Sequence, residues 1–461
     1  MTARTRTDLP IDDLRNDLTG RVILPGDDGY DEARTPFYGG FDKHPAVVVK
    51  VADTEDVVRV IALARDTDLE LTIRSGGHSV PGYSVSDGGI QLDLGELRTL
   101  EIDREGRTAW AGTGSTTGEY TAAAAELGLA TGFGDTGSVG IGGITLGGGV
   151  GLLVRRYGLT IDHLLAAEIV TADGSVFLVD EDHEPDLFWA IRGGGGNFGV
   201  ATRFRFRLHE VPRILGGMLF LPATPEVVAS FLAEADAAPD EVSTIANVMT
   251  APPMPFIPEE AHGRPLIMAM IAYAGDPEAG ERALAPFRTL ATPLADLVRP
   301  MSYPELFLEP EGEEEYHPLA ASYTGFADAI GAEVAAEIIE HLEEPVGMMR
   351  VAQLRRLGGA MARVPNDATA FAHRDQPIMV NVGNLFLDAA ERPASQAWVD
   401  GTVDVIGRSA AGYSNFLGDD GPERVRAAYP GATWDRLRSI KARYDPTNLF
   451  RMNQNIPPAE G

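Results

Sequence analysis

An α/β protein of two domains is what this sequence predicts, on three observations. Through the first 210 residues, β-branched runs alternate with segments of helical apolar period. Near Pro212 the texture changes to longer helical patterns separated by strands. The 461 residues also exceed what one small hydrophobic core accommodates.

In chain order, AVVVKV at 46 to 51 reads as a strand, TEDVVRVIALARDTD as a helix and LELTIRS at 69 to 75 as the next strand. Further strands are expected at GIQLDL (89 to 94), LRTLEID (97 to 103), AEIVTAD (167 to 173), SVFLVD (175 to 180) and VATRFRFRL (200 to 208). The last alternates apolar residues with Arg at period two. A glycine-rich loop spans Gly132 to Gly151. Beyond Pro212, EVVASFLAEADAA and EVAAEIIEHLEE have helical period, and LIMAMIAYAG reads as a strand. The acidic run EPEGEEEY at 309 to 316 reads as a solvated surface loop. The tail WDRLRSIKARYDPTNLFRMNQNIPP is expected to pack back on the first domain.

Composition excludes several function classes. A formal net charge of -30 repels phosphate backbones and anionic headgroups, so neither nucleic acid nor a membrane surface is an expected partner. With no Cys there is no disulfide, thiolate metal site or cysteine nucleophile, and the nine His show no metal-ligand spacing. No apolar stretch of about 18 residues occurs, so a soluble cytoplasmic protein is expected.

The chemistry lies in the glycine loops. The strand ending at Arg74 runs into Ser75-Gly76-Gly77-His78-Ser79. A glycine pair admits positive φ and lets main-chain amides approach a ligand closely, as a loop around a pyrophosphate must. His78 then either faces that ligand or is a turn residue held by backbone hydrogen bonds, and the local sequence leaves both open. In the second loop, Thr136 to Gly151, so many glycines lose conformational entropy on folding that a compensating gain is expected. A cradle of N–H groups for a dinucleotide supplies one. A solvated linker would not interleave Val139, Ile141, Ile144, Leu146 and Val150. Gly194-Gly195-Gly196-Asn197-Phe198-Gly199 matches GxGxxG literally, but a strand rather than a helix follows, so it is not the nicotinamide fingerprint.

Together these pieces resemble the berberine bridge enzyme-like flavoproteins of the vanillyl-alcohol oxidase and p-cresol methylhydroxylase (PCMH) group. The resemblance runs through RSGGHSVPGYSVSDGGIQLDL, the glycine loop, RRYGLTIDHLLAAEIVTADG, DLFWAIRGGGGNFGVAT, GYSNFLGD and YDPTNLFRMNQNIPP, in order. It implies a PCMH-type FAD-binding domain over about 1 to 210 and an inserted α+β substrate domain over 211 to 405. A C-terminal segment, 406 to 461, would return to the FAD domain.

By the same resemblance, His78 bonds to the 8α-methyl of FAD, and Arg74, Ser75, Gly76, Gly77 and Ser79 line its pyrophosphate. Further FAD contacts are implied for Gly137, Ser138, Val139, Gly142 and Gly143, and for Gly147, Gly148, Gly149, Gly151 and Leu152. Asn197, Val200, Tyr413, Asn415 and Asn453 complete that set. Thr136 stands where many relatives place a second, cysteinyl anchor, so the link is at most monocovalent. Ile144 replaces a histidine that some relatives hold near the flavin, and Val139 occupies the oxygen-gate position. Tyr413, in Tyr413-Ser414-Asn415, is the implied proton acceptor, whereas Asn453, Asn455 and His373 read as hydrogen-bonding or structural residues.

The implied function is that of an FAD-dependent oxidase taking hydride from a small-molecule C–H, with O2 as acceptor and H2O2 as product. A dehydrogenase using another acceptor and a flavin-binding protein without turnover are the alternatives.

Overall fold

The computed structural model describes residues 9 to 307 and 317 to 460. The acidic run at 309 to 316 lies outside the described residues. The first sheet has four strands, ordered Arg21–Ile23, Val47–Lys50, Ile90–Asp93, Leu71–Arg74, and the last three are parallel. Helix Thr54–Thr67 makes the crossover, started by Asp53, whose side chain accepts from Asp56 N–H, and ended by Asp68 in the left-handed region. Val47, Val49, Val57, Val60, Ile61, Ile90 and Leu92 are fully buried between sheet and helix. This packing fixes where strand Leu71–Arg74 ends, and the loop carrying His78 leaves from that end.

A five-stranded antiparallel sheet follows, ordered Leu100–Asp103, Thr108–Gly112, Val200–Arg207, Leu164–Val170, Val176–Val179. In Val200–Arg207 the side chains of Phe204 and Phe206 are buried and those of Arg203, Arg205 and Arg207 exposed, as period two requires. Gly194 to Gly199 makes one 3-10 turn, Gly195–Asn197, and then enters this strand, which pairs antiparallel with both neighbours, so it opens no α-helix, consistent with rejecting the nicotinamide fingerprint.

Below this sheet, buried His163 and half-buried His209 touch ring to ring, with Nε2 of His209 3.1 Å from Nδ1 of His163. Burial pushes both down, to about 3 for His163 and about 4 for His209, with Arg207 acting in the same direction. An unfolded histidine takes up a proton as pH falls through about 6.5, whereas these two stay neutral in the fold. They therefore remove stability as pH falls from 6.5 toward 4. The melting temperature of His209→Gln should fall less steeply over that interval than that of the wild type; parallel profiles would contradict the assignment.

The third sheet is entirely antiparallel, ordered Ala295–Asp296, Ile214–Pro222, Pro265–Tyr273, Val242–Thr250, Met349–Arg356, Ile378–Phe386, Leu319–Ala327, with Arg299–Met301 also on Ile214–Pro222. Helices Pro225–Ala237, Pro277–Arg288, Ala332–Leu342 and Arg392–Ile406 cover one face, burying Phe231, Phe287, Ile338, Leu342 and Trp398 against it. The other face meets the first domain. There Ile245 and Met270 pack with Leu152 and Leu153, while Phe326 and Met379 pack with Val150, Val154 and Tyr413.

The tail returns to the first domain. Leu437, Ile440 and Tyr444 of helix Ala432–Tyr444, with Ile456, join the cluster around Leu187 and Phe188. Buried Lys441 pairs with Asp445 at 2.6 Å and donates to the carbonyls of Asn197 and Phe450. The tail is thereby fixed to the glycine turn at 194 to 199.

Candidate active site

At the end of strand Leu71–Arg74, Gly77 takes φ +72° and reverses the chain. The N–H groups of Gly76, Gly77, His78 and Ser79 have no acceptor among the described residues. Gly76 lies against Gly140: a Cβ on Gly76 would stand 2.2 Å from the Gly140 nitrogen, and one on Gly140 2.3 Å from the Gly76 nitrogen. The two glycine loops, more than 60 residues apart in sequence, thus meet backbone to backbone. The N–H groups of Ser138, Val139 and Gly140 are likewise free of protein acceptors, and Ser138 Oγ is buried and unpartnered. Gly77 and Gly140 are buried and the other five residues half-buried; amides left open in this number call for a partner, and clustered N–H groups of this kind bind anions. The site therefore fits the pyrophosphate of a dinucleotide.

His78 stacks on Phe37, ring centroids 4.1 Å apart at 19°, and hydrogen-bonds the Ser138 backbone. Burial pushes its pKa down to about 4, with the charge of Arg74 adding to the effect and the Ser138 bond opposing it. At neutral pH the ring is an uncharged imidazole, the form that acts as a nucleophile. Arg74 itself donates to the Ala33 carbonyl at 2.5 Å.

The expectation of one continuous glycine loop is corrected, because Ile141–Gly147 forms a helix. Glycine disfavours helix in isolation, but Ile141, Thr145 and Leu146 are buried here, and tertiary packing outweighs propensity. On this helix Gly142 faces Ser75 Oγ and Gly143 faces open space. The later glycines have a different cause. A Cβ on Gly147 would lie 2.0 Å from Asn415 Oδ1, and one on Gly151 1.5 Å from the Phe133 carbonyl oxygen. Gly148 abuts Phe371 and Tyr413, and Gly149 abuts Thr160. These four positions are filled by protein atoms, so close packing already explains their lack of side chains.

That packing also fixes Tyr413, against Gly148. Its buried hydroxyl accepts from Gly149 N–H at 2.8 Å and from Asn415 Nδ2 at 2.8 Å. Burial raises its pKa to about 12; the Gly149 and Asn415 bonds, the Arg355 charge and the Val150 backbone all oppose that rise. Every polar neighbour of the oxygen thus favours its anion.

Other residues fall in two groups. Thr136 lies beside the glycine junction, its carbonyl accepting from Thr117 Oγ1. Ser75 Oγ donates to the Thr113 carbonyl, and Ser79 Oγ accepts from Tyr83 N–H. Asn197 is committed to the tail, donating to the Gln454 carbonyl and accepting from Ile456 N–H. Leu152 and Val200 are buried in cores, and Asn453 bridges the Gly196 and Phe450 carbonyls. Asn455 Oδ1 is buried without a partner among the described residues. His373, buried, is bonded through Nε2 to the Ala428 carbonyl.

Sequence reasoning missed Phe37 beside His78, and it missed Arg355. The Arg355 guanidinium pairs with Asp135 at 2.6 Å, donates to the Val150 carbonyl and lies over the Phe416 ring. Only strand register, which no local pattern reveals, puts it there. A surface cleft of about 450 Å³ between Glu423, Arg426, Tyr429 and Trp434 shares none of these residues. Among the described residues there is no cluster of three metal-ligating side chains, and no helix is long and apolar enough to cross a membrane.

Two family profiles match, one described as an FAD binding domain over residues 45–180 and one as berberine and berberine like over 412–457. The chain is 30% identical to (R)-6-hydroxynicotine oxidase of Paenarthrobacter nicotinovorans, covering 96% of this chain and 97% of that one. An uncharacterized FAD-linked oxidoreductase of Bacillus subtilis is 32% identical over 96% and 99% of the two chains. In structure it is similar to 6-hydroxy-D-nicotine oxidase from Arthrobacter nicotinovorans, with a TM-score of 0.86, 28% identity and 96% and 99% coverage. Glucooligosaccharide oxidase from Acremonium strictum, whose FAD is 6-S-cysteinyl and 8α-N1-histidyl, shares the fold at a TM-score of 0.85 and 22% identity, over 99% and 100% of the two chains. With its amide-lined glycine junction and matching domains at both ends, the chain belongs to the berberine bridge enzyme-like family of FAD-linked oxidoreductases and is an FAD-dependent oxidase.

Proposed function

We propose that FAD is held by a single covalent bond, from the His78 imidazole to the flavin 8α-methyl, and that Tyr413 receives the substrate proton. The chemistry FAD supplies is two-electron oxidation of a substrate C–H, with O2 as terminal acceptor and H2O2 as by-product. The chain's own contribution divides among three places. The free amides of Gly76 to Ser79 and Ser138 to Gly140 would hold the pyrophosphate. Neutral His78 would anchor the ring, and the sequence has no Cys for a second anchor. Tyr413 would take the proton, its anion held by Gly149, Asn415 and Arg355.

The observation that carries this reading is the set of donors converging on one buried phenol at Gly148 and Gly149, where the helix that starts from the glycine junction ends. A buried phenol that only packs is hydrogen-bonded too, but here both partners are donors to the oxygen, the arrangement that suits a phenolate. Substrate would sit between that junction and the helix-free face of the large sheet, shielded from water on both sides. With an accepted small-molecule substrate, the purified yellow protein should consume one O2 and release one H2O2 per turnover. Anaerobic bleaching by substrate with no peroxide on admitting air would instead show a dehydrogenase, and no bleaching by any alcohol, sugar or amine would show a protein without turnover.

A further inference from the structure

On the helix-free face of the large sheet, register sets three amide side chains in a row: Asn247 opposite Gln353, and Gln353 opposite Asn381. Gln353 Nε2 donates to Asn247 Oδ1 at 2.9 Å, and Asn247 Nδ2 donates to the Met268 carbonyl at 3.1 Å. Gln353 Oε1 accepts from Arg355 Nε at 2.9 Å, two residues along the same strand. Arg355 stands one pleat, about 7 Å, along the strand from Gln353, and its guanidinium touches Val150, next to the Gly149 amide that bonds Tyr413, so it links the row to that phenol. The row ends at Asn381, whose Oδ1 is buried and has no partner among the described residues.

The surroundings of this row are apolar. Phe220, Met249, Met268, Met349 and Val351 pack together on the same face. Methionine walls of this kind adapt to flat, irregular ligands. Arg355, the cation bonded to Gln353, is already ion-paired with Asp135. The row's own hydrogen bonds engage no other charged side chain. An anionic ligand here would lose its hydration without a counter-ion, and a polyol would bury more hydroxyls than three partly committed amides can satisfy.

We propose that this face selects an uncharged, largely apolar substrate, a ring system bearing one neutral hydrogen-bonding group that completes the amide row at Asn381. The proposal rests on the substrate position given above, and three probes of the holoenzyme test it: benzamide, benzoate and cellobiose. Each is titrated by calorimetry, which reads binding whether or not the flavin responds, with flavin difference spectra recorded alongside.

Benzamide should bind at least about tenfold more tightly than benzoate or cellobiose, and Gln353→Leu should weaken it about tenfold, the effect of leaving one buried polar group unpaired. Asn381→Asp should shift preference from benzamide to cationic benzamidine. Flavin content and circular dichroism confirm that each variant folds, and Asn381→Asp decides the matter if Gln353→Leu does not. Equal or tighter binding of benzoate or cellobiose, or undetectable benzamide binding, overturns the proposal. Benzamide binding without any change in the flavin spectrum would instead count against the placement of substrate beside the flavin. A colourless preparation would sink the oxidase reading alone.

Discussion

Replacing His78 with Ala should leave a protein from which acid precipitation releases every flavin, while the wild type retains it. The expectation is all or none, because the sequence contains no Cys and so no second anchor of the kind named for the glucooligosaccharide oxidase. The strand end, the positive φ of Gly77 and the stack on Phe37 hold the imidazole in one orientation, and burial keeps it unprotonated. With its pKa near 4, attachment should proceed at the same rate from pH 6 to pH 8, since the neutral fraction is already essentially complete. Mass spectrometry of denatured protein reads the adduct directly. His78→Ala should still bind FAD reversibly, because the open amides of residues 76 to 79 and 138 to 140 belong to the main chain. A wild-type mass without the flavin increment, or an increment that survives in the variant, would remove His78 from this role.

How much of this was legible beforehand depends on the range of the interactions. The strands around Val47, Leu71, Ile90 and Phe204 follow from local alternation and burial, and the sequence shows them within a few residues. Strand Thr108–Gly112 carries no local signal, because Thr-Ala-Trp-Ala-Gly is short and small-residue rich; it is a strand because neighbours pair with it on both sides. The glycine stretch reads from its sequence as a loop rather than part helix, since propensity argues for a loop and only burial of Ile141 and Leu146 settles it otherwise. The contacts of Arg355 with Asp135, and of Gln353 with Asn247, span 220 and 106 residues. Nothing local marks them: the second exists because strand pairing sets Asn247 opposite Gln353, the first because the same face of the large sheet meets Asp135 and Val150.

Tyr413→Phe should slow anaerobic flavin reduction about 10²-fold or more while leaving FAD in place, the scale expected for losing a positioned general base. The structure sets up opposing effects on this phenol. Burial alone would make it a poor base, and its pKa of about 12 leaves it protonated at neutral pH. Yet Gly149 N–H and Asn415 Nδ2 already occupy its lone pairs, and Arg355 adds positive potential, so the anion is better served by its surroundings than the neutral phenol requires. A base with a raised pKa gives a reduction rate that climbs with pH through the neutral range, because the deprotonated fraction grows tenfold per unit below the pKa. In Tyr413→Phe that slope should vanish. Asn415→Leu should preserve the slope but shift the profile to higher pH, since it removes one donor to the anion and leaves the phenol. Loss of two buried hydrogen bonds should also lower the stability of Tyr413→Phe by about 1 to 3 kcal/mol, read separately from its melting temperature. A variant reduced as fast as the wild type, with the same pH profile, would show that the donors around Tyr413 serve packing alone and that the proton leaves by another route.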